Sequence, residues 1–189
     1  MKPIGILMRE HRFIELMIAS LEKEKETIEA SGKIRSDFLA TAVDFFRVYG
    51  DKNHHGKEED ILFRRLSEKP LSIEHRRIMS LLIDEHNIAR SYIRMLDGGR
   101  ERSLLNTSTA AREIIETIEK IRLLYTKHIE TEEKRFFYPA MDYFSEEEQE
   151  QMIQDFYAYE QTIDREKYES MVKHIENNQP VIMKKIFGR

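Results

Sequence analysis

The sequence predicts an all-α chain, an antiparallel up-down-up-down four-helix bundle with one or two short extra C-terminal helices. Three observations carry that expectation. Apolar residues recur with helical period over four long stretches, the glycines and prolines fall between those stretches, and no stretch alternates with the period of a strand. Residues 4–30 place Ile4, Leu7, Met8, Ile14, Ile18 and Leu21 on one stripe, closed by Ser31-Gly32. A second helix runs from about 35 to 66, bent at Gly50 and ending before Pro70. The third spans about 72–96 and stops at Gly98-Gly99, and the fourth runs from about 108 to 137, before Pro139. Each is long enough to extend ~40 Å at a rise of about 1.5 Å per residue, and short connections between such helices favour antiparallel neighbours.

The bundle occupies residues 1–140 and a helical appendage, packed on it, residues 141–189. Ser145 and Glu148 have the spacing of a capping box, and the helix they open carries Met152, Phe156 and Tyr159 on one face. Another short helix from about Asp164 presents Tyr168, Met171, Val172 and Ile175, followed by a tail with Pro180, Lys184 and Lys185. The appendage either pads the bundle or forms a dimer interface, so the chain is expected as a monomer or a homodimer.

Composition removes several function classes. The chain has 31 basic and 35 acidic residues and a net charge of −4, which points to neither nucleic acid nor an anionic membrane. No apolar run approaches the ~18 residues of a membrane span, and the N-terminal MKPIGILMREH is charged too early for a secretory signal. A cytoplasmic protein is the default. Cysteine is absent, which excludes disulfides, thiolate metal sites, iron–sulfur ligation and cysteine catalysis.

One pattern occurs twice. Leu7-Met-Arg-Glu-His11 is followed by His54-His-Gly-Lys-Glu58-Glu59, and Leu82-Ile-Asp-Glu-His86 by His128-Ile-Glu-Thr-Glu132-Glu133. The first histidine pair is 43 residues apart and the second 42. Residues at i and i+4 share a helix face, so His54 with Glu58 and His128 with Glu132 can address one centre. On the fourth helix that pair continues the seam Ile114, Ile118, Ile121, Tyr125, and His11 and His86 likewise interrupt apolar stripes. A glutamate on such a stripe is costly unless paired or bound to a cation. Imidazole with carboxylate suits iron, manganese or zinc, and duplication suggests two ions.

The candidate ligands are therefore His11, His54, Glu58, His86, His128 and Glu132. Phase alone leaves the second helix open, because His55 with Glu59 serves comparably; the internal repeat selects His54 and Glu58, with His55 kept as an extra or alternative ligand. Glu15, off the stripe, is expected at the surface. His75 is a weaker ligand candidate sharing the face of His86, and His174 is expected on the surface. Tyr125 and Asp51, at matching places before His128 and His54, are either hydrogen-bonding partners behind the ligands or ordinary core. Other chemistries lack their marks: no histidine follows a glutamate by three residues as in ferritin-like bundles, and protease, phosphate-loop and nucleophile-elbow motifs are missing. No residue is assigned a catalytic role.

Glu10-His11, His54-His55-Gly-Lys-Glu58-Glu59, Asp84-Glu85-His86 and His128-x-x-x-Glu132-Glu133 resemble the hemerythrin-like, or HHE cation-binding, family over roughly residues 1–160. The resemblance implies a bundle around two iron ions, a non-haem, oxo- or hydroxo-bridged di-iron centre for which manganese or zinc could substitute. His11, His54, His86 and His128 would be terminal ligands and Glu58 and Glu132 bridges. Oxygen-carrying hemerythrins place a further histidine near His86; here position 90 is Arg and position 82 is Leu. The set is more similar to the four-histidine, two-glutamate iron–sulfur-repair and iron-sensing types, although the cysteine-containing region of many repair proteins has no counterpart. The leading expectation is binding or sensing of dioxygen, nitric oxide or iron. Two others compete with it: a di-iron enzyme of peroxide or nitric oxide detoxification or cluster repair, and a metal-stabilised interaction module.

Overall fold

A computed structural model describes residues 2–105 and 107–178. The tail with Pro180, Lys184 and Lys185 lies outside the described residues. Within them the chain forms six helices and no strand: α1 (Ile4–Ser31), α2 (residues 36–67), α3 (Ile73–Ser103), α4 (residues 107–141), α5 (Glu146–Glu160) and α6 (Arg165–Asn178). None is long and apolar enough to cross a membrane. The first four build the bundle, with α3 and α4 the most closely paired.

Local sequence accounts for the helix ends. Gly32 adopts φ +70°, and its N–H closes α1 on the carbonyl of Ile28 at 2.8 Å; a left-handed residue at this place is cheapest as glycine. Ser72 caps α3 by accepting from the His75 N–H, and Ser145 with Glu148 forms the expected capping box at α5. The stop expected at Gly98-Gly99 does not occur, because α3 continues to Ser103. A Cβ at Gly99 would come within 3.0 Å of Ile114 Cγ1, so this glycine permits close approach of α4 rather than ending the helix.

The bend expected at Gly50 is instead a change of winding. Within α2, Phe46–His55 and Glu58–Phe63 are π-helical, and in α4 the segment Glu132–Phe136 is too. Bonding from i to i+5 shifts the phase of side chains, and such segments gather at functional sites. The result here is that both His54 and His55, and both Lys57 and Glu58, are buried.

The core divides into two apolar clusters. One includes Ile14, Met17, Phe45, Phe46, Tyr49, Ile93, Ile114 and Ile121; the other includes Ile4, Leu7, Leu62, Leu66, Leu82, Phe136, Phe137 and Met141. Between them lies a layer of buried polar groups. Met152 and Phe156 of α5 join the second cluster, and Tyr168 and Val172 of α6 join the first, so the C-terminal helices pack on the bundle. A fully buried Phe, Met or Val contributes roughly 1.5–3 kcal/mol, enough to hold such short helices in place. Gly56 marks the tightest approach of α5: a Cβ there would collide with the Tyr159 ring, whose hydroxyl donates to Asp60 at 2.9 Å.

Glu15 is not at the surface as its position off the stripe suggested, but only 1% exposed. Both α4 and α6 pack on α1, so its buried arc is wider than a single stripe. Glu15 pairs with Arg12 at 3.0 Å, yet burial pushes its carboxyl up to about 7, with the charge of Glu133 adding to the rise. The folded state therefore holds this proton more tightly than the unfolded chain, whose glutamate titrates near 4.5. Ionisation between those values opposes folding, so this contribution falls as pH rises. Glu15→Gln should melt above wild type at pH 8, and the gap should shrink toward pH 5.5; scanning calorimetry at the two pH values checks it, and a pH-independent gap contradicts it.

Candidate metal centre

The polar layer between the two clusters contains all six residues selected by the internal repeat. His11 comes from α1, His54 and Glu58 from α2, His86 from α3, and His128 and Glu132 from α4, each buried. They fall into two groups whose ligand-type atoms lie within 4.8 Å of one another: His11, His54, Glu58 and Glu132, and His55, Glu58, His86 and His128. His55 therefore joins the cluster beside His54 rather than replacing it. Its ring stacks on that of His86 at 3.9 Å between centroids.

Each glutamate of the pair turns one oxygen toward each group. Glu58 Oε1 is 3.5 Å from His54 Nε2, and its Oε2 is 3.3 Å from His86 Nε2. Glu132 Oε2 is 3.1 Å from His11 Nε2, while its Oε1 is 3.3 Å from His128 Nε2 and 4.0 Å from His86 Nε2. His11 Nε2 and all four of these carboxylate oxygens are buried without a hydrogen-bond partner. Five orphaned polar atoms converging on one point carry a desolvation cost that a cation would remove.

The outer face of every ring is held by a carboxylate. The Nδ1–H of His54 donates to Glu10 at 3.0 Å, that of His128 to Glu85 at 2.9 Å, that of His86 to Glu59 at 2.7 Å and that of His11 to Glu133 at 2.9 Å. His55 donates to Asp51 at 3.3 Å. A carboxylate only accepts, so each Nδ1 carries the proton and leaves Nε2 as the lone-pair atom. The consequence is plainest where His86 Nε2 and His128 Nε2 meet at 3.2 Å. Two acceptors at that distance need a proton or a cation between them.

Protonation follows the same logic. Burial, with the neighbouring His54, holds His11 well below the ordinary imidazole range, and burial lowers His55 and His128 as well. Neutral imidazole is the ligating form. His86 is raised instead, because Glu58 and Glu59 outweigh its burial. Burial and the charge of Glu58 push Glu132 well above the ordinary carboxyl range: two buried carboxylates this close cannot both be ionised without a cation. The cluster fits a pair of metal ions.

Several expectations change. Tyr125 makes ring contacts with His55 and His128 but no hydrogen bond to His128, whose Nδ1–H is taken by Glu85. Asp51 does hold a ring, that of His55, and it also accepts from Arg90 Nε at 2.8 Å. His75 stands apart from the cluster, its Nδ1 2.9 Å from the Tyr143 hydroxyl, and His174 is exposed as expected. The carboxylates behind the rings went unassigned in the sequence, although Glu10-His11 and Glu85-His86, and Glu58-Glu59 and Glu132-Glu133, repeat with the ligands. Their pairing has an exact exchange symmetry. Glu10 and Glu85 each serve the histidine of their own half, while Glu59 and Glu133 each cross to the other half.

Behind Glu10 lies Lys57, fully buried, whose Nζ donates both to Glu10 and, at 2.7 Å, to Glu160 at the end of α5. The C-terminal segment thus reaches the support of His54. Sequence periodicity had no signal for this contact, since a lysine on a polar stretch reads as solvated.

No curated protein and no solved structure matches this chain. The sequence does match the hemerythrin HHE cation binding domain over residues 2–137, a span that takes in the first three bundle helices, most of α4 and every residue of the two ligand groups. With buried imidazoles and carboxylates converging as a cation site requires, the chain belongs to the hemerythrin HHE cation-binding domain family.

Proposed function

We propose that this protein holds two iron ions and binds or senses a small ligand, dioxygen or nitric oxide, at them. The observation that carries the reading is the disposition of Glu58 and Glu132, each with one unpartnered oxygen toward each histidine group. When bound, an iron pair supplies redox and small-ligand-binding chemistry. The chain's own part is to orient five imidazoles through their Nδ1–H bonds, to favour the neutral form of His11, His55 and His128 by burial, and to exclude bulk water with an apolar cluster on either side. The donors include no thiolate and suit iron, manganese or zinc; the family resemblance favours iron.

The two groups are unequal. His11 and His54 serve the first, whereas His55, His86 and His128 serve the second, and both carboxylates reach each. The first group thus has fewer protein donors, which favours it as the place where an external ligand binds. His55→Ala should weaken one metal by roughly 10-fold or more while the other stays bound, by analogy with losses on removing partners even behind the ligands. Competition with a chromogenic chelator reads both affinities. Two unchanged affinities would return the set to the four histidines of the repeat.

The test of the function is metal content and visible spectrum of protein purified without oxygen, followed by exposure to air. About two irons per chain and a new ferric absorption on exposure are expected. One zinc, or no spectral change after iron reconstitution, would reject the reading. Sustained consumption of peroxide or nitric oxide, lost in His128→Ala, would convert the assignment from sensor to enzyme.

A further inference from the structure

Beside the metal layer a pocket of about 290 Å³ opens between α2, α3 and α4. Phe46, Ala89, Ile93 and the ring of Tyr125 supply its apolar lining, and buried His55 and the partly exposed Asp51 carboxylate also line it. Three guanidinium groups, of Arg47, Arg90 and Arg94, border it. Two of them are committed. Arg47 pairs with Asp97 at 2.8 Å, and Arg90 spans Asp51 at 2.8 Å and Glu59 at 2.7 Å. Arg94 is exposed and has no acidic partner among the described residues.

We propose that this pocket binds a small organic monocarboxylate, with the carboxylate on Arg94 and the apolar body against Phe46, Ala89 and Ile93. A guanidinium matches a carboxylate with two parallel N–H donors. An exposed ion pair by itself contributes little, so the charge alone does not retain a ligand. Burial of apolar surface adds to it, and Phe46, Ala89, Ile93 and Tyr125 supply that surface within the same pocket. Recognition thus requires both parts of the molecule. The volume is near the lower end of small-molecule sites, ~300–1,000 Å³, which restricts the ligand to a short chain or a single ring.

The pocket does not open onto the cluster. His55, Ala89 and Tyr125 also line the space enclosed by Glu85, His86 and His128, and that space has no room for a water. The carboxylate therefore stays on the outer side of His55 and does not enter the ligand cluster. What it can touch is Arg90, whose two acidic partners hold the rings of His55 and His86.

Isothermal titration of the metal-loaded protein with hexanoate tests the site, with acetate and hexanol as probes lacking one half of the ligand. Saturable one-to-one binding of hexanoate is expected, with acetate and hexanol each at least about 10-fold weaker, a difference of ~1.4 kcal/mol. Arg94→Glu should weaken hexanoate at least 10-fold and Arg94→Lys less; both should leave metal content and helicity unchanged, because Arg94 is exposed and makes no ion pair among the described residues. No saturable heat, hexanol binding as well as hexanoate, acetate binding as well as hexanoate, or undiminished binding to Arg94→Glu would overturn the proposal. Metal content is measured on the same sample, so a protein that lacks iron yet binds hexanoate would defeat the proposed function and leave this site standing.

Discussion

Glu132→Gln should reverse its effect on stability with the state of the metal centre. In metal-loaded protein the variant should melt below wild type, because it removes the negative charge that both ligand groups share and turns one of the two donor oxygens into an amide nitrogen. A bound ion stabilises the folded state by roughly 4 kcal/mol at 1,000 times its dissociation constant. For a chain of this size each kcal/mol corresponds to about 2–4 °C, so loss of that binding lowers the midpoint by on the order of 10 °C. In metal-free protein the sign changes. Glu58 and Glu132 are then two buried acids whose oxygens have no hydrogen-bond partners, and a neutral amide at 132 removes the cost of keeping Glu132 protonated beside Glu58. Calorimetry with and without a strong chelator, beside metal analysis, measures both signs. Full two-metal occupancy in the variant, or the same sign in both states, would show that Glu132 does not join the two groups.

Lys57→Met should be the most destabilising single change outside the ligands. Lys57 is fully buried, and its ammonium is bound by Glu10 and Glu160. Methionine conserves much of the volume, so the cost is electrostatic. Removing one partner of a buried ion pair leaves an uncompensated charge and costs about 3–5 kcal/mol. The midpoint should fall by roughly 6–20 °C at about 2–4 °C per kcal/mol. Two further effects separate this from a general packing defect. Glu10 also orients His54, so the affinity of the first metal group should fall with stability. Adding Glu160→Gln to Lys57→Met should cost less than the sum of the two single changes, because both act on one ion pair. A loss under about 1 kcal/mol, or strict additivity, would refute the network.

Much of the centre was legible along the chain. The helical stripes placed His11, His86 and His128 inward, and the duplicated spacing selected His54 beside His55, and Glu58 and Glu132 from many glutamates. The capping box at Ser145 and the closure at Gly32 followed from local chemistry that needs no partner helix. Other features failed for identifiable reasons. Gly98-Gly99 looked like a stop because glycine weakens helices, whereas Gly99 is needed for the contact with Ile114. Glu15 looked exposed because one stripe describes one interface, whereas α1 packs on α2, α4 and α6.

What the amino-acid sequence determined by itself is the bundle, the inward direction of the repeated histidines and the chemical type of the ligands. Those depend on period, spacing and side-chain chemistry, which are properties of each helix alone. The tertiary structure decided that His54 and His55 both face in, because the π-helical winding of Phe46–His55 shifts a phase that ideal α geometry would have split. It also decided which carboxylate holds which ring, and that Lys57 is buried between Glu10 and Glu160. Apart from Asp51 with His55, one turn apart on the same helix, those contacts join residues 27 to 122 positions apart, and only the packing of one helix on another brings them within hydrogen-bond reach.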